Sequence, residues 1–231
     1  MTTMIIETLE DAGRLTAYRA DPAGTPKAAI VVIQEIFGVN EGIRRKCDTL
    51  AEAGYLAIAP DLFWRLEPNI QLDPDTPEEL QRAFGLMARF DQNDGVRDID
   101  ATIHAARAAV GGGKVGAVGY CLGGRLAYMA AARTDIDASV GYYAVGIPDL
   151  LREAHAIANP LMLHIAGDDH FVGADQQAAM HTGLDAQAKV TLHDYPGVDH
   201  GFATEIGARR SPAAAELADR RTAEFFATTL A

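Results

Sequence analysis

The feature that most constrains the fold is a repeated alternation of short apolar runs with longer helical stretches. The runs are rich in β-branched and small apolar residues, which favours buried strands. We predict strands at Ala28–Gln34, Tyr55–Pro60, Lys114–Tyr120, Ala138–Tyr143, Pro160–Ala166 and Val190–Tyr195. Strands that alternate with helices build a mostly parallel sheet covered by helices on both faces. The chain is therefore predicted to be an α/β protein.

The segments between these strands carry helical patterns with recognisable ends. We predict helices at about Glu41–Ala53, Leu122–Arg133, Ala174–Leu184 and Pro212–Thr229, and two more within Glu78–Val110. Leu66–Pro77 is rich in Pro, Asp and Asn and is expected to be a surface loop, with a role as a lid left open. Gly111–Gly113 breaks the chain but leads directly into a strand. Because the sequence contains no internal repeat and no interdomain linker, we expect one domain over residues 1–231.

Charge and composition limit the partners of the chain. The 20 Lys and Arg residues against 32 Asp and Glu give a net charge of −12, which disfavours binding to nucleic acid or anionic membranes. No segment approaches the roughly 18 apolar residues of a membrane span, and Met1–Thr8 does not resemble a secretion signal. Cys47 and Cys121 are too few for a disulfide framework. We expect a cytoplasmic monomer that acts on a small molecule, with no nucleic-acid or membrane partner.

Residues 119–123, Gly-Tyr-Cys-Leu-Gly, have the spacing of a nucleophile elbow between a predicted strand and a predicted helix. The turn is tight and strains the backbone of the nucleophile, so the residues two positions away must be small. The helix N-terminus beyond Cys121 favours an anion, and the N–H of Leu122 is a candidate oxyanion-hole donor. A second donor is expected near Ile36, after the first predicted strand. By spacing alone, Cys121 could equally be a small buried residue of a glycine-rich turn.

The expected partners of Cys121 follow in the chain order of α/β-hydrolases, which is nucleophile, acid, histidine. Asp168 and Asp169 come after the fifth predicted strand, at the sheet edge where ligand sites of α/β proteins lie. His200 lies in the loop after the sixth. We predict that His200 is the general base and that Asp169 fixes its tautomer, with Asp168 as the alternative acid. The plainer alternative is that these carboxylates only shape turns.

The remaining histidines give no sign of a metal site. His104, His155 and His181 fall in helical stretches, and His164 and His193 fall inside predicted strands, so structural roles are expected. The acids and histidines lack metal-ligand spacing, and the glycine run at 111–113 does not open a helix as a phosphate loop would. No metal or organic cofactor is expected.

Several motifs together resemble the dienelactone hydrolase family of α/β-hydrolases. They are QEIFG at 34–38, GYCLGG at 119–124, DHFV at 169–172 and HGF at 200–202, with similar residues at 61–62 and 90–91. The resemblance implies an α/β-hydrolase fold and a triad of Cys121, Asp169 and His200. It also implies that Glu35 contacts the resting cysteine and helps to form the thiolate when substrate displaces it.

The resemblance is incomplete where the family binds a substrate carboxylate with two arginines. One of these positions lies four residues after His200, where this chain has Thr204, and the other lies near Leu80, where Arg82 is a near match. An arginine fork forms bidentate hydrogen bonds that threonine cannot replace, so the substrate is less constrained than the chemistry. The candidate substrate-binding residues are Arg82, Arg125, Phe37 and Phe202, with Arg209 as a further possible replacement.

These patterns predict an enzyme that hydrolyses a lactone or ester through an acyl-cysteine, with a dienelactone (carboxymethylenebutenolide) as the first candidate substrate. The ester or thioester of a different small molecule is one alternative. Another is a non-enzymatic relative that binds a small molecule and in which Cys121 is only an oxidisable thiol.

Overall fold

The structure is a computed structural model that describes residues 2–9 and 13–231. Its strands are β1 (Thr2–Glu7), β2 (Arg14–Ala20), β3 (Ala29–Ile33), β4 (Leu56–Pro60), β5 (Val115–Tyr120), β6 (Ala138–Tyr142), β7 (Leu161–Ala166) and β8 (Val190–Tyr195). Its helices are α1 (Glu41–Glu52), α2 (Pro77–Arg89), α3 (Gln92–Ala109), α4 (Leu122–Arg133), α5 (Ala174–Leu184) and α6 (Pro212–Thr229), and a 3-10 helix spans Ile147–Ala156. Within the described residues, the strands form one eight-stranded sheet in the order β1-β2-β4-β3-β5-β6-β7-β8.

Most of this sheet is parallel. β1 pairs antiparallel with β2, and β2 with β4, whereas all neighbours from β4 to β8 run parallel. The strands β3 to β7 are buried along their whole length, as expected when helices cover both faces of a parallel sheet. The predicted α/β architecture with a mostly parallel central sheet is confirmed.

Two hydrophobic cores lie on opposite faces of the sheet. In β3, Val31 and Ile33 join the core that contains residues of α3 and α4, whereas Ile30 and Val32 join the core that contains residues of α1 and α6. Alternate residues of a strand point to opposite faces, so a short β-branched run supplies both cores at once. Among the described residues, no helix is both long enough and apolar enough to cross a bilayer.

The predicted strands and helices agree with the structure to within one residue at their ends. α2 and α3 are separated at Phe90 and Asp91, and the Asp91 side chain caps α3 by accepting hydrogen bonds from the N–H groups of Asn93 and Asp94. The sequence prediction did not include β1, β2 or the 3-10 helix.

The predicted surface loop Leu66–Pro77 is held against the loop that follows β3. The N–H of Leu72 donates to the carbonyl oxygen of Phe37 at 2.9 Å, and Asn40 Nδ2 donates to the carbonyl oxygen of Leu72 at 3.1 Å. Ile70 and Leu72 are buried. The loop at residues 66–77 therefore supports the loop that follows β3.

Candidate active site

Cys121 lies in the turn between β5 and α4, with a φ of 55° that is rare and strained for a residue other than glycine. The two flanking glycines make this turn possible. A Cβ atom on Gly119 would lie 1.9 Å from the carbonyl oxygen of Gly123, and one on Gly123 would lie 2.3 Å from that of Ile33. Because only glycine fits at both positions, the strand and helix approach closely and hold Cys121 at the start of α4.

Asp169 links the loops that follow β7 and β8. Its Oδ2 lies 2.9 Å from Nδ1 of His200, and its Oδ1 accepts hydrogen bonds from the N–H groups of Phe171 and Val172. Asp169 and His200 are buried, whereas Asp168 is exposed. Of the two candidate acids, Asp169 is therefore the one that is held rigidly against the histidine.

His200 also contacts Cys121, which controls its charge. Burial alone would lower the pKa of His200, but the charge of Cys121 and hydrogen bonds with Asp169 and Cys121 outweigh burial and raise the pKa to about 10. The imidazole is therefore protonated at neutral pH whenever Cys121 beside it is a thiolate. The rings of Tyr143 and Phe171 pack edge-on against His200, with centroids 5.0 and 4.8 Å away, and fix its orientation.

Glu35 follows β3 and lies in the wall of the cavity that contains Cys121. Removal from water raises the pKa of the Glu35 carboxyl group, and the positive charges of His200, Arg209 and Lys46 act in the opposite direction. Burial and charge therefore compete at this carboxyl group, which is typical of residues that exchange protons in active sites.

A cavity of about 240 Å³ opens over Cys121, His200 and Glu35. Its walls are mostly apolar and include Ile36, Phe37, Leu80, Phe84, Met87, Val145 and Phe171. Leu80, Phe84 and Met87 lie on one face of α2 because they are spaced at helical intervals. Walls of this kind favour a substrate with a substantial apolar part.

Arg209 supplies a positive charge to this cavity wall. It lies in the loop between β8 and α6, and within the part of the chain that the structure describes its guanidinium has neither a hydrogen bond nor an ion pair. A half-buried cation that forms no hydrogen bond or ion pair with any described residue, in a chain of net charge −12, is available for an anionic group of a ligand.

The other two candidate arginines have partners elsewhere. Arg82 is exposed on α2 and forms an ion pair with Glu67. Arg125, on α4, donates to Gln92 Oε1 at 2.7 Å and to the carbonyl oxygen of Gly146. Neither guanidinium lines the cavity, so the structure does not support the prediction that Arg82 and Arg125 contact substrate there.

The two candidate phenylalanines have different surroundings. Phe37 lines the cavity, whereas Phe202 is fully buried outside its lining. The ring centroid of Phe202 lies 4.9 Å from that of Tyr195 and 5.6 Å from that of Tyr143. Phe202 therefore packs against Tyr143, and its contact with substrate stays a prediction that the cavity lining does not support.

The two candidate oxyanion-hole residues lie beside the nucleophile. Leu122 is the first residue of α4, immediately after Cys121, and Ile36 lines the cavity. The first N–H groups of a helix have no partner within the helix, so the Leu122 N–H is available to a ligand.

Tyr143 is a site residue that the sequence analysis missed. It follows β6 directly with a φ of 37°, and its buried hydroxyl has no hydrogen-bond partner of normal geometry among the described residues, although it interacts with the Glu35 carboxylate. Its position in the sequence could have indicated this role. β6 neighbours β5, and their carboxyl ends meet at the edge of the sheet that carries Cys121. His170, Val145 and the apolar face of α2 were also not predicted to line the cavity.

Two clusters among the described residues have ligand atoms close enough together to hold a metal ion. They are Asp100, His104 and Asp135, and Asp169, His170 and Asp199. In the second cluster the donors are already used, because Asp169 is bonded to His200 and Asp199 lies 2.7 Å from His170 Nδ1. The first cluster does not line the cavity. Neither arrangement gives a reason to invoke a metal in the site.

Comparisons with known proteins match most of this chain to dienelactone hydrolases. The sequence model of the dienelactone hydrolase family matches residues 15–230. A protein of Azospirillum brasilense assigned as a carboxymethylenebutenolidase is 48% identical over 219 residues, covering 94% of each chain. Carboxymethylenebutenolidase 1 of Cupriavidus pinatubonensis is 38% identical and covers 95% of this chain and 94% of its own length. A crystal structure from Klebsiella pneumoniae, assigned as a dienelactone hydrolase, has a TM-score of 0.83, 28% identity and 98% coverage of both chains.

Proposed function

The chain belongs to the dienelactone hydrolase family and is a hydrolase of ester or lactone bonds, and from that premise we propose that it opens a dienelactone (carboxymethylenebutenolide) through an acyl-cysteine on Cys121. The observation that carries this proposal is the buried 2.9 Å hydrogen bond from His200 Nδ1 to Asp169, with His200 in contact with the strained Cys121. Two groups with the right chemistry for nucleophilic catalysis, Cys121 and His200, therefore line one cavity, and Asp169 is bonded to the second of them.

In the first half of the reaction, Cys121 Sγ attacks the lactone carbonyl carbon and forms a carbon–sulfur bond. The carbonyl π electrons move to oxygen, where the N–H groups of Leu122 and Ile36 stabilise the negative charge. Collapse of this intermediate restores the carbonyl and breaks the ring carbon–oxygen bond. The departing oxygen takes a proton from the His200 imidazolium, so the ring opens while the acyl group stays on Cys121.

In the second half, His200 is neutral and accepts a proton from water, which attacks the thioester carbonyl. Collapse of the second intermediate breaks the carbon–sulfur bond and releases a carboxylic acid. Cys121 leaves as the thiolate beside the newly formed imidazolium, which restores the starting pair. Asp169 keeps the imidazole in one tautomer throughout.

Glu35 is proposed to act before this cycle, as the proton acceptor that converts the resting Cys121 thiol to thiolate when substrate enters. Its position in the same cavity wall supports this role. The opposing effects of burial and of nearby positive charges on its pKa also support it, because a catalytic base must be able to gain and lose a proton.

Substrate selection is proposed to combine one charge with several apolar contacts. Arg209 would bind the substrate carboxylate, and the α2 residues Leu80, Phe84 and Met87 would pack against the hydrocarbon part. The same apolar wall favours a second candidate substrate class, an uncharged ester whose apolar group occupies the cavity without using Arg209.

Steady-state hydrolysis of a dienelactone and of an uncharged aryl ester, in reducing buffer, tests the proposal. Cys121→Ala should lower kcat by at least about a thousand-fold for any substrate that wild type hydrolyses. Cys47→Ala is the matched control, because Cys47 is the other cysteine and is buried outside the active-site cavity. It should retain near wild-type turnover.

Efficient turnover of the lactone, lost only in the Cys121 variant, would support the full proposal. Turnover of the neutral ester alone would keep the mechanism and replace the substrate. Equal rates in wild type and Cys121→Ala would contradict the proposed nucleophile.

A further inference from the structure

A second and much smaller cavity adjoins Glu35. This inner cavity measures about 10 Å³, about enough for one water molecule. Glu35 lines both the inner cavity and the active-site cavity. The polar residues around the inner cavity are Glu35, Asn40, Lys46, Tyr120, Tyr143, Thr204 and Glu205.

Two hydroxyl groups in this lining, those of Tyr143 and Thr204, have no hydrogen-bond partner of normal geometry among the described residues, although the Tyr143 hydroxyl lies near enough to Glu35 to interact with its carboxylate. Tyr143 is 2% exposed and Thr204 is 9% exposed, so bulk solvent does not reach them. Native proteins rarely leave buried hydroxyls unpaired, and an ordered water is the usual partner where a polar cavity has room for it.

Three of the other polar residues of the inner cavity, Lys46, Glu205 and Asn40, already have partners. Lys46 Nζ lies 2.7 Å from Glu205 and 3.3 Å from Asp219, and Asn40 is bonded to two backbone groups. The groups left to meet a small polar ligand are therefore the hydroxyls of Thr204, Tyr143 and Tyr120 and the carboxylate of Glu35.

We infer that one ordered water molecule binds in the inner cavity, held by Thr204 and Tyr143, and donates a hydrogen bond to the Glu35 carboxylate. The inference rests on the proposed function only in taking Glu35 as the proton acceptor for Cys121. Thr204 and Tyr143 are positioning residues in this arrangement, because they act on the reaction through the water and Glu35.

The water would favour the charged form of Glu35, because a hydrogen bond donated to a carboxylate stabilises it. The charged and titratable groups that face Glu35 are His200, Arg209, Lys46, Tyr120, Tyr143 and Cys121. Burial raises the pKa of Glu35 and the three cations lower it, so the water acts in the same direction as the cations.

A high-resolution crystal structure of the wild-type protein tests the binding site directly. We expect a water peak within hydrogen-bond distance of Thr204 Oγ1, the Tyr143 hydroxyl and Glu35. The same peak should be absent in Thr204→Val, which keeps the shape of the side chain and removes its hydroxyl. Wild-type protein without electron density in the inner cavity would overturn the inference.

A titration of the Glu35 carboxyl stretch by infrared difference spectroscopy, identified as the band that Glu35→Gln removes, tests the effect of the water. Thr204→Val should shift the Glu35 pKa upward by about one unit. Thr204→Ser keeps the hydroxyl and should restore the wild-type value. Ser139→Ala is the matched control, since Ser139 also carries a buried hydroxyl without a partner among the described residues but does not line this cavity.

Neither measurement requires turnover, so failure of the inference and failure of the proposed function are distinguishable. An active hydrolase with a dry inner cavity contradicts the water site alone. A hydrated cavity in a protein that does not use Cys121 contradicts the proposed function alone. If Thr204→Val does not fold, Thr204→Ala removes the same hydroxyl and should produce the same upward shift.

Discussion

Arg209 is the residue on which binding of an anionic substrate is expected to depend. The net charge of −12 repels an anion at long range, so binding depends on a local cation that is free to accept it. Arg209 meets that condition because it lines the active-site cavity and has no ion pair within the described residues.

Arg209→Gln should raise KM for an anionic lactone by about 10- to 100-fold, the loss expected for a charged hydrogen bond. KM for an uncharged aryl ester should hardly change, because that substrate has no carboxylate. Arg82→Gln is the control and should leave both constants unchanged, since Arg82 is exposed and paired with Glu67. An equal rise in KM for both substrates in Arg209→Gln would indicate a structural effect and contradict a carboxylate contact.

Single residues also show where the sequence was informative and where it was not. Spacing and chain order singled out Cys121, Asp169 and His200, which the structure brings to one site, while their catalytic roles stay predictions. Sequence could not separate Asp168 from Asp169, because both follow the same strand and only packing decides which is buried. It could not place Arg209 either, since the path of an irregular loop is set by tertiary contacts.

The helix α2 combines two functions on different faces. Phe84 lines the cavity and is partly exposed, whereas Leu86 is buried in the hydrophobic core. Residues two apart on a helix point in different directions, so substrate contact and stability can be changed separately.

Phe84→Ala should raise KM for an apolar aryl ester several-fold and leave the free energy of unfolding almost unchanged, as expected for a partly exposed side chain. Leu86→Ala should lower the free energy of unfolding by about 2–5 kcal/mol, the usual loss for a buried leucine, with little change in KM while the protein is folded. Urea denaturation and steady-state kinetics on both variants check these outcomes. Similar stability losses in the two variants would show that Phe84 belongs to the core.

The strands β1 and β2 and the 3-10 helix were not predicted because none of them has a continuous apolar pattern in the sequence. β1 buries one of its six residues and β2 three of its seven, so neither contains the continuous apolar run that identified the buried parallel strands. The 3-10 helix Ile147–Ala156 is held by tertiary packing of Ile147, Leu150 and Ala154, which local sequence does not reveal. The central strands were predictable because burial on both faces leaves a direct pattern in the sequence.

At the scale of the whole molecule, the charge of His200 links the active site to stability. Its pKa is raised from 6.5 to about 10 in the folded protein. A raised pKa stabilises the folded state fully below pH 6.5, and this contribution is lost as the pH rises towards about 10.

The difference in unfolding free energy between wild type and His200→Gln should therefore be larger at pH 6 than at pH 10, by on the order of a few kcal/mol. Cys121→Ala should show a weaker pH dependence than wild type, because Cys121 is one of the groups that raise the pKa of His200. Urea denaturation at both pH values provides the measurement. A difference that does not change with pH would mean that His200 is not held as an imidazolium.

The central claim is that Cys121 carries the acyl group during hydrolysis, and intact-mass spectrometry after rapid acid quench tests it most directly. Wild-type protein mixed with an aryl ester should gain the mass of one acyl group, located on Cys121 by peptide mapping, and lose it again as the ester is consumed. Cys47→Ala should behave in the same way, and Cys121→Ala should gain no mass. Acylation at another residue, or hydrolysis by Cys121→Ala at the wild-type rate, would contradict the claim.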